Sequence, residues 1–181
     1  MSEILNRAAD AALGLANDRP WGEITLRDIA EGAGVPFAEL YAEAGGKPGV
    51  IDGLSRRFDL AAASAEIDRA EDAHDRLFEA TMARLEAMEP HRFPLIAIGR
   101  AEGWPGLAPR LPRTARALLE TAGIDTAGVT GAARVAAMTA TWARILQVWR
   151  DDEGALNRTM AEIDARLKSM REALRKVKAG F

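Results

Sequence analysis

Residues 25–47, TLRDIAEGAGVPFAELYAEAGGK, hold the side chains whose spacing has a recognisable use. Two short helices joined by a glycine turn make a helix-turn-helix, the unit that lays its second helix in the DNA major groove. On that second helix Phe37, Leu40, Tyr41 and Ala44 recur at helical spacing and share one face, the face expected to be buried. The face left for a groove is then Ala38, Glu39, Ala42 and Glu43, two carboxylates with no Arg, Lys, Asn or Gln. Over the stretch the bases are Arg27 and Lys47 and the acids are Asp28, Glu31, Glu39 and Glu43, a net of −2. Phosphate contacts dominate affinity for DNA, so this charge opposes binding. A Glu can accept a hydrogen bond from cytosine, but only after approaching a polyanion.

A second constellation is apolar. Met138, Trp142, Ile145, Leu146 and Trp149 share one helical face, Phe78 and Met82 form a similar stripe, and Trp104 sits in a proline-rich segment. Small-molecule sites are lined mostly by such side chains. Phe78, Met82, Trp104, Met138, Trp142, Leu146 and Trp149 are therefore the candidate lining of a pocket for an apolar ligand. Apolar helical stripes also build filled cores and dimer interfaces, and that alternative stays open. Two large rings one heptad apart are hard to bury in a bundle without a space or a partner.

Other chemistry is absent from the pattern. The 181 residues include no cysteine, which excludes disulfides and thiolate metal sites. His74 and His91 lie far apart, so a His-rich metal site is not expected; carboxylates alone could still hold Mg or Ca. His74 sits among Glu71, Asp72 and Asp75 and reads as a solvated helix start. GGKPG, from Gly45, lacks both the first glycine of a phosphate loop, where Tyr41 stands, and a hydroxyl after Lys47. With no nucleophile elbow, zinc-protease motif or dinucleotide fingerprint, no catalytic residue and no cofactor are expected, and the protein is not read as an enzyme. The net charge of −3 gives no general attraction to nucleic acid. No apolar run has membrane-span length and the first residues lack a signal-peptide pattern, so a cytoplasmic protein is expected.

The elements that must position these residues read as helices throughout, about nine of them. The first spans residues 2–16, with Ile4, Ala8, Ala11, Ala12 and Leu15 buried. A loop over 17–22 follows, with Trp21 plugging the small core. Thr25 caps the first helix of the motif with Asp28 three residues on, a capping box with Asp in the Glu position. Leu26, Ile29, Ala30 and Ala33 line that helix, Gly34 makes the turn and Pro36 opens the next helix. A fourth helix runs from Pro48 to about Arg69, and a strong amphipathic one over 72–88. A shorter helix covers 93–101, residues 103–112 are a loop or turns, and 113–122 are helical again. Two long helices finish the chain, about 127–150 and 153–178, with Asp152 capping the second. The hydrophobic fraction of 48% can build a core. The expected division is a helix-turn-helix unit at 1–47 and a helical ligand-binding and dimerisation region at 48–181.

The pattern of residues 24–35, ITLRDIAEGAGV, followed by Leu40-Tyr41 and Gly46-Lys47, resembles the TetR family of transcriptional regulators. The resemblance implies an all-α, TetR-like fold, a homodimer that pairs through the last two helices, and a pocket for a small, often apolar ligand that controls binding to a DNA operator. Carried over to matching positions, Thr25, Tyr41 and Lys47 are implied phosphate contacts, and Arg27 adds a cation at the margin. The family commonly has His and then Phe where this chain has Glu43 and Ala44. The region 140–167 also resembles the TetR-fold lipid-binding proteins of coenzyme Q biosynthesis, through Trp149, Asp151, Thr159, Asp164 and Arg166. That likeness implies an isoprenoid or other lipid ligand and lost DNA reading. At the C-terminus Leu167, Met170, Leu174, Val177 and Phe181 alternate 3 and 4 apart amid Arg166, Lys168, Arg171, Arg175, Lys176 and Lys178. Such a basic amphipathic helix fits a dimer interface, with cations at its C-terminal end, or contact with an anionic membrane surface.

Overall fold

In the computed structural model, which describes residues 2–152 and 156–176 with the Trp104 side chain excepted, every regular element among the described residues is helical. Local chemistry starts them. The Ser2 hydroxyl accepts from the Leu5 amide at 3.2 Å and caps α1 (Glu3–Asp18). A 3-10 turn, Trp21–Glu23, leads to α2 (Leu26–Ala33). Its capping box is complete: the Asp28 amide donates to Thr25 Oγ1 at 3.1 Å and the Thr25 amide to Asp28 Oδ2 at 2.7 Å. That amide is the main reason the Asp28 carboxyl titrates below its ordinary value. The box therefore stabilises the fold at neutral pH and loses that contribution only as pH falls through the lowered value. Thr25→Ala is expected to lower unfolding stability by about 1 kcal/mol in urea denaturation.

α3 (Phe37–Ala44) and α4 (Lys47–Ala63) follow. Residues 1–58 and 90–110 form one compact unit, which holds α1, α2, α3, the start of α4 and α6 (Arg92–Leu107). The unit with the helix-turn-helix thus extends past residue 47. Within it α1 packs on α2, α3 and α6. The α1 face is centred on Ala8 and Ala12 with Leu5, Ala9 and Leu13 buried, while Ile4, Ala11 and Leu15 of the expected stripe are half-buried. Trp21 is buried as expected.

The second unit, residues 59–89 and 111–181, holds α5 (Ala73–Met88), α7 (Leu111–Thr121), α8 (Gly128–Asp151) and α9 (Asn157–Lys176). They close a ring: α5 meets α7 and α9, and α8 meets the same two. Leu77, Leu85, Leu118, Met138, Ile145 and Ile163 are fully buried in its core.

Three expected boundaries move. α4 stops at Ala63 although helix formers continue; farther on, Asp68 Oδ1 accepts the Ala70 amide at 2.8 Å and Asp72 accepts those of His74 and Asp75. Short side chains that bond nearby backbone compete with the helix. The segment 103–112 is not all loop: helix continues to Leu107 across a kink at Gly103 (φ 60°, ψ −168°). Pro105 stands in the first turn after the kink, where its missing N–H costs nothing. α9 starts at Asn157, yet Asp152 still serves it, since Oδ2 accepts the Thr159 amide at 2.8 Å. Residues 153–155, Val177, Lys178 and Phe181 of the expected last helix lie outside the described residues.

Candidate nucleic-acid interface

The turn of the helix-turn-helix is built for glycine. Gly34 is left-handed (φ 60°), and its carbonyl accepts from Arg7 Nη2 of α1 at 2.9 Å. An L side chain there would be strained. The junction between α3 and α4 is equally tight. Gly45 is left-handed and donates to the Tyr41 carbonyl at 2.8 Å. A β-carbon on Gly49 would stand 1.8 Å from the Ala44 carbonyl oxygen, so the backbone approach there admits only glycine.

Ala38, Glu39, Ala42 and Glu43 all face solvent, and Glu43 accepts from the Ser2 hydroxyl. The buried face of α3 is narrower than its spacing suggests. Leu40 alone is buried; Phe37 and Ala44 are half-buried and Tyr41 is 56% exposed. A two-turn helix lying on α1 and α2 brings one large side chain fully into their groove. The correction makes Tyr41 available. Its ring stands 5.9 Å from Phe37, and the Arg27 guanidinium lies 4.7 Å over the Phe37 ring. Arg27 and Tyr41 thus flank one half-buried ring beside the acidic pair.

The other two expected contacts are engaged elsewhere. Thr25 Oγ1 donates to Asp28 Oδ2 at 2.7 Å while accepting the Asp28 amide. Lys47 turns inward: Nζ donates to the Trp21 carbonyl at 2.7 Å and the Ile24 carbonyl at 2.6 Å, and sits 4.3 Å over the Trp21 ring. Partial burial pushes the Lys47 pKa below its ordinary value, countered by the charges of Glu102 and Asp28.

No family model matches the sequence, and no curated protein does. Solved structures match the fold over nearly its whole length. A TetR transcriptional regulator from Nitrosomonas europaea ATCC 19718 superposes with a TM-score of 0.70 at 19% identity, over 93% of this chain and 98% of the other. One from Rhodococcus sp. RHA1 gives 0.65 at 16%, over 91% and 93%. The dihydroxyacetone kinase operon activator DhaS gives 0.59 at 9%, over 96% and 97%. The chain has the TetR fold.

The candidate ligand residues of this TetR fold are spread more widely than their stripes suggest. Met138, Trp142 and Trp149 are buried in the second unit, while Phe78, Met82 and Leu146 are half-buried. Trp104 belongs to the first unit, and its side chain lies outside the described residues. Trp149 Nε1 donates to Glu89 Oε2 at 2.7 Å. Two open surface cavities of this unit, about 530 and 380 Å³, are lined by none of these residues.

Sequence reading missed what lies against Trp142. The Arg84 guanidinium, itself buried, stands 4.8 Å over the ring, and its Nε donates to Asp59 Oδ1 at 2.8 Å. Thr114 Oγ1 donates to the same oxygen at 2.9 Å. Burial pulls the Arg84 pKa down, and the Asp59 charge opposes that. The signal was available, because Arg84 falls on the Leu77–Thr81–Leu85–Met88 face of α5. His74 also departs from expectation. It is buried, with Nδ1 3.0 Å from Asp75 and Nε2 3.4 Å from Asp164 of α9. Asp72, His74 and Asp75 bring one metal-ligand atom each within 4.8 Å, but Asp72 already caps α5 through two amides.

Of the residues resembling the lipid-binding proteins, Thr159 is buried against Asp152, and Asp164 and Arg166 pair with Lys168 and Glu162, each at 2.7 Å. Leu167, Met170 and Leu174 are buried in the core, so this part of the basic helix already has its apolar stripe covered. Among the described residues no helix is long and apolar enough to cross a membrane.

Proposed function

We propose that the protein is a TetR-type transcriptional regulator, a ligand-responsive repressor that binds its operator as a homodimer through α2 and α3 and is not an enzyme. The carrying observation is the capped and glycine-locked helix-turn-helix with Tyr41 exposed on its second helix and Arg27 exposed beside it. The long α8 and α9, packed on each other, are the dimerisation surface of this reading, and the apolar ligand enters near Trp142 and Trp149. Ligand binding would shift a population between two dimer geometries and so release the operator.

Titration with DNA from the protein's own upstream region, at several salt concentrations, tests it. Sub-micromolar binding with a steep negative salt slope is the expected result. Arg27→Ala should weaken binding to every sequence and reduce the slope of log K against log salt by about 0.9 if Arg27 neutralises one phosphate.

The acidic face of α3 and the inward Lys47 favour a second reading, in which the fold is kept, DNA reading is lost and the protein binds an isoprenoid or other lipid. Absence of DNA binding at low salt, with a long-chain lipid retained in native mass spectrometry, would select it.

A further inference from the structure

Lys47 stands where the TetR resemblance puts a phosphate contact, yet its charge faces the protein. Two of its three N–H donors already point at carbonyls, at 2.7 and 2.6 Å. Charge-assisted bonds of that length are among the stronger ones, and the Trp21 ring beneath the ammonium adds to them. Reaching outward would forfeit all three contacts.

We propose that Lys47 is a positioning residue, a pin that fixes the 21–24 loop and the α3–α4 junction, and that residues 102–110 set the pin. Trp21 is buried, and its Nε1 donates to Glu102 Oε1 on α6 at 2.8 Å. Immediately after Glu102 the helix breaks at Gly103. The segment then returns to the same junction through Arg110. Its Nε donates to Asp52 Oδ1 at 2.7 Å and its Nη2 to the Pro48 carbonyl at 3.0 Å, both in α4. A third bond, from Nη1 to the Gly106 carbonyl, ties the arginine to its own segment.

One short segment therefore grips both sides of residue 47. It holds the loop before α2 through Trp21 and the first turn of α4 through Pro48 and Asp52. The contact of Gly49 with the Ala44 carbonyl leaves α3 little freedom relative to that turn. A displacement of residues 102–110 is transmitted to α3 by these bonds. The consequence for DNA rests on the regulator reading above; the pin itself does not.

The test combines DNA titration with amide hydrogen exchange on the full-length protein. Lys47→Met keeps the aliphatic stem, Glu102→Ala removes the acceptor for Trp21, and Glu102→Gln keeps one. Lys47→Met and Glu102→Ala should each weaken DNA binding roughly tenfold while leaving the salt slope at the wild-type value. Both should speed exchange at residues 21–24, and Glu102→Gln should stay near wild type. A phosphate contact at Lys47 would instead lower the slope by about 0.9 and make Glu102→Ala silent, which overturns the proposal. If the wild type binds no DNA, the regulator reading fails by itself. The exchange data then decide the pin: faster exchange in both variants supports it, and unchanged exchange at 21–24 in Glu102→Ala overturns it.

Discussion

Asp59→Ala is expected to remove about 3–5 kcal/mol of folding stability, measured by urea denaturation. The reason is what it leaves behind. Arg84 is 4% exposed, and Asp59 is the carboxylate on its Nε. Thr114 lies 3.4 Å from Nη2, and the Met88 sulfur, a weak acceptor, 2.8 Å from Nη1. Neither replaces a negative charge. Removing the carboxylate from beside a buried guanidinium costs far more than replacing both members of the pair by apolar side chains. Asp59→Leu with Arg84→Met should therefore regain most of the loss. Asp59 also stands 3.9 Å from Arg113, so the substitution removes a negative charge beside two cations at once. A loss under about 1 kcal/mol would mean that Arg84 stays solvated, and the buried-pair account would be wrong.

The contrast between Thr25 and Lys47 explains what the sequence could convey. The capping box, the Gly34 turn and the spacing of Leu26, Ile29, Ala30 and Ala33 are set by bonds between residues a few positions apart. Their reading needs no knowledge of the rest of the chain. The direction of the Lys47 ammonium depends on carbonyls 23 and 26 residues away, and Trp21 is fixed by Glu102 across 81 positions. No local pattern carries that. Tyr41 failed differently. Periodicity names the residues on one face of a helix, but how many of them are covered depends on the width of the groove that receives it. Arg84 was legible in position and illegible in meaning. Its place on an apolar face marked it as buried, but Asp59 and Thr114 come from other helices and only packing unites them. The end of α4 shows the same limit. Propensity continues through residues 64–70, yet the helix ends at Ala63, and from Asp68 on short side chains bond nearby backbone instead.

Trp142→Ala decides whether the apolar stripe of α8 is filled core or the wall of a ligand space. In the structure the ring is 1% exposed, with Met138 and Ile145 on the same face fully buried and Arg84 stacked across it. Truncating a ring so enclosed is expected to cost about 3–5 kcal/mol, through lost transfer energy and the cavity left behind. The cavity should then accept indole, and added indole should raise the melting temperature of the variant and not of the wild type. A wall of a ligand space predicts the reverse: a small loss on truncation, and stabilisation of the wild type by an apolar ligand. The variant also shares a partner with Asp59→Ala, because both strip contacts from Arg84. Once Asp59 is gone the guanidinium has already lost the Asp59 charge that holds it over the ring, so removing Trp142 takes less from what remains. The two losses should therefore add to less than their sum in a double-mutant cycle, and that coupling measures how far the ion pair and the aromatic core hold each other in place.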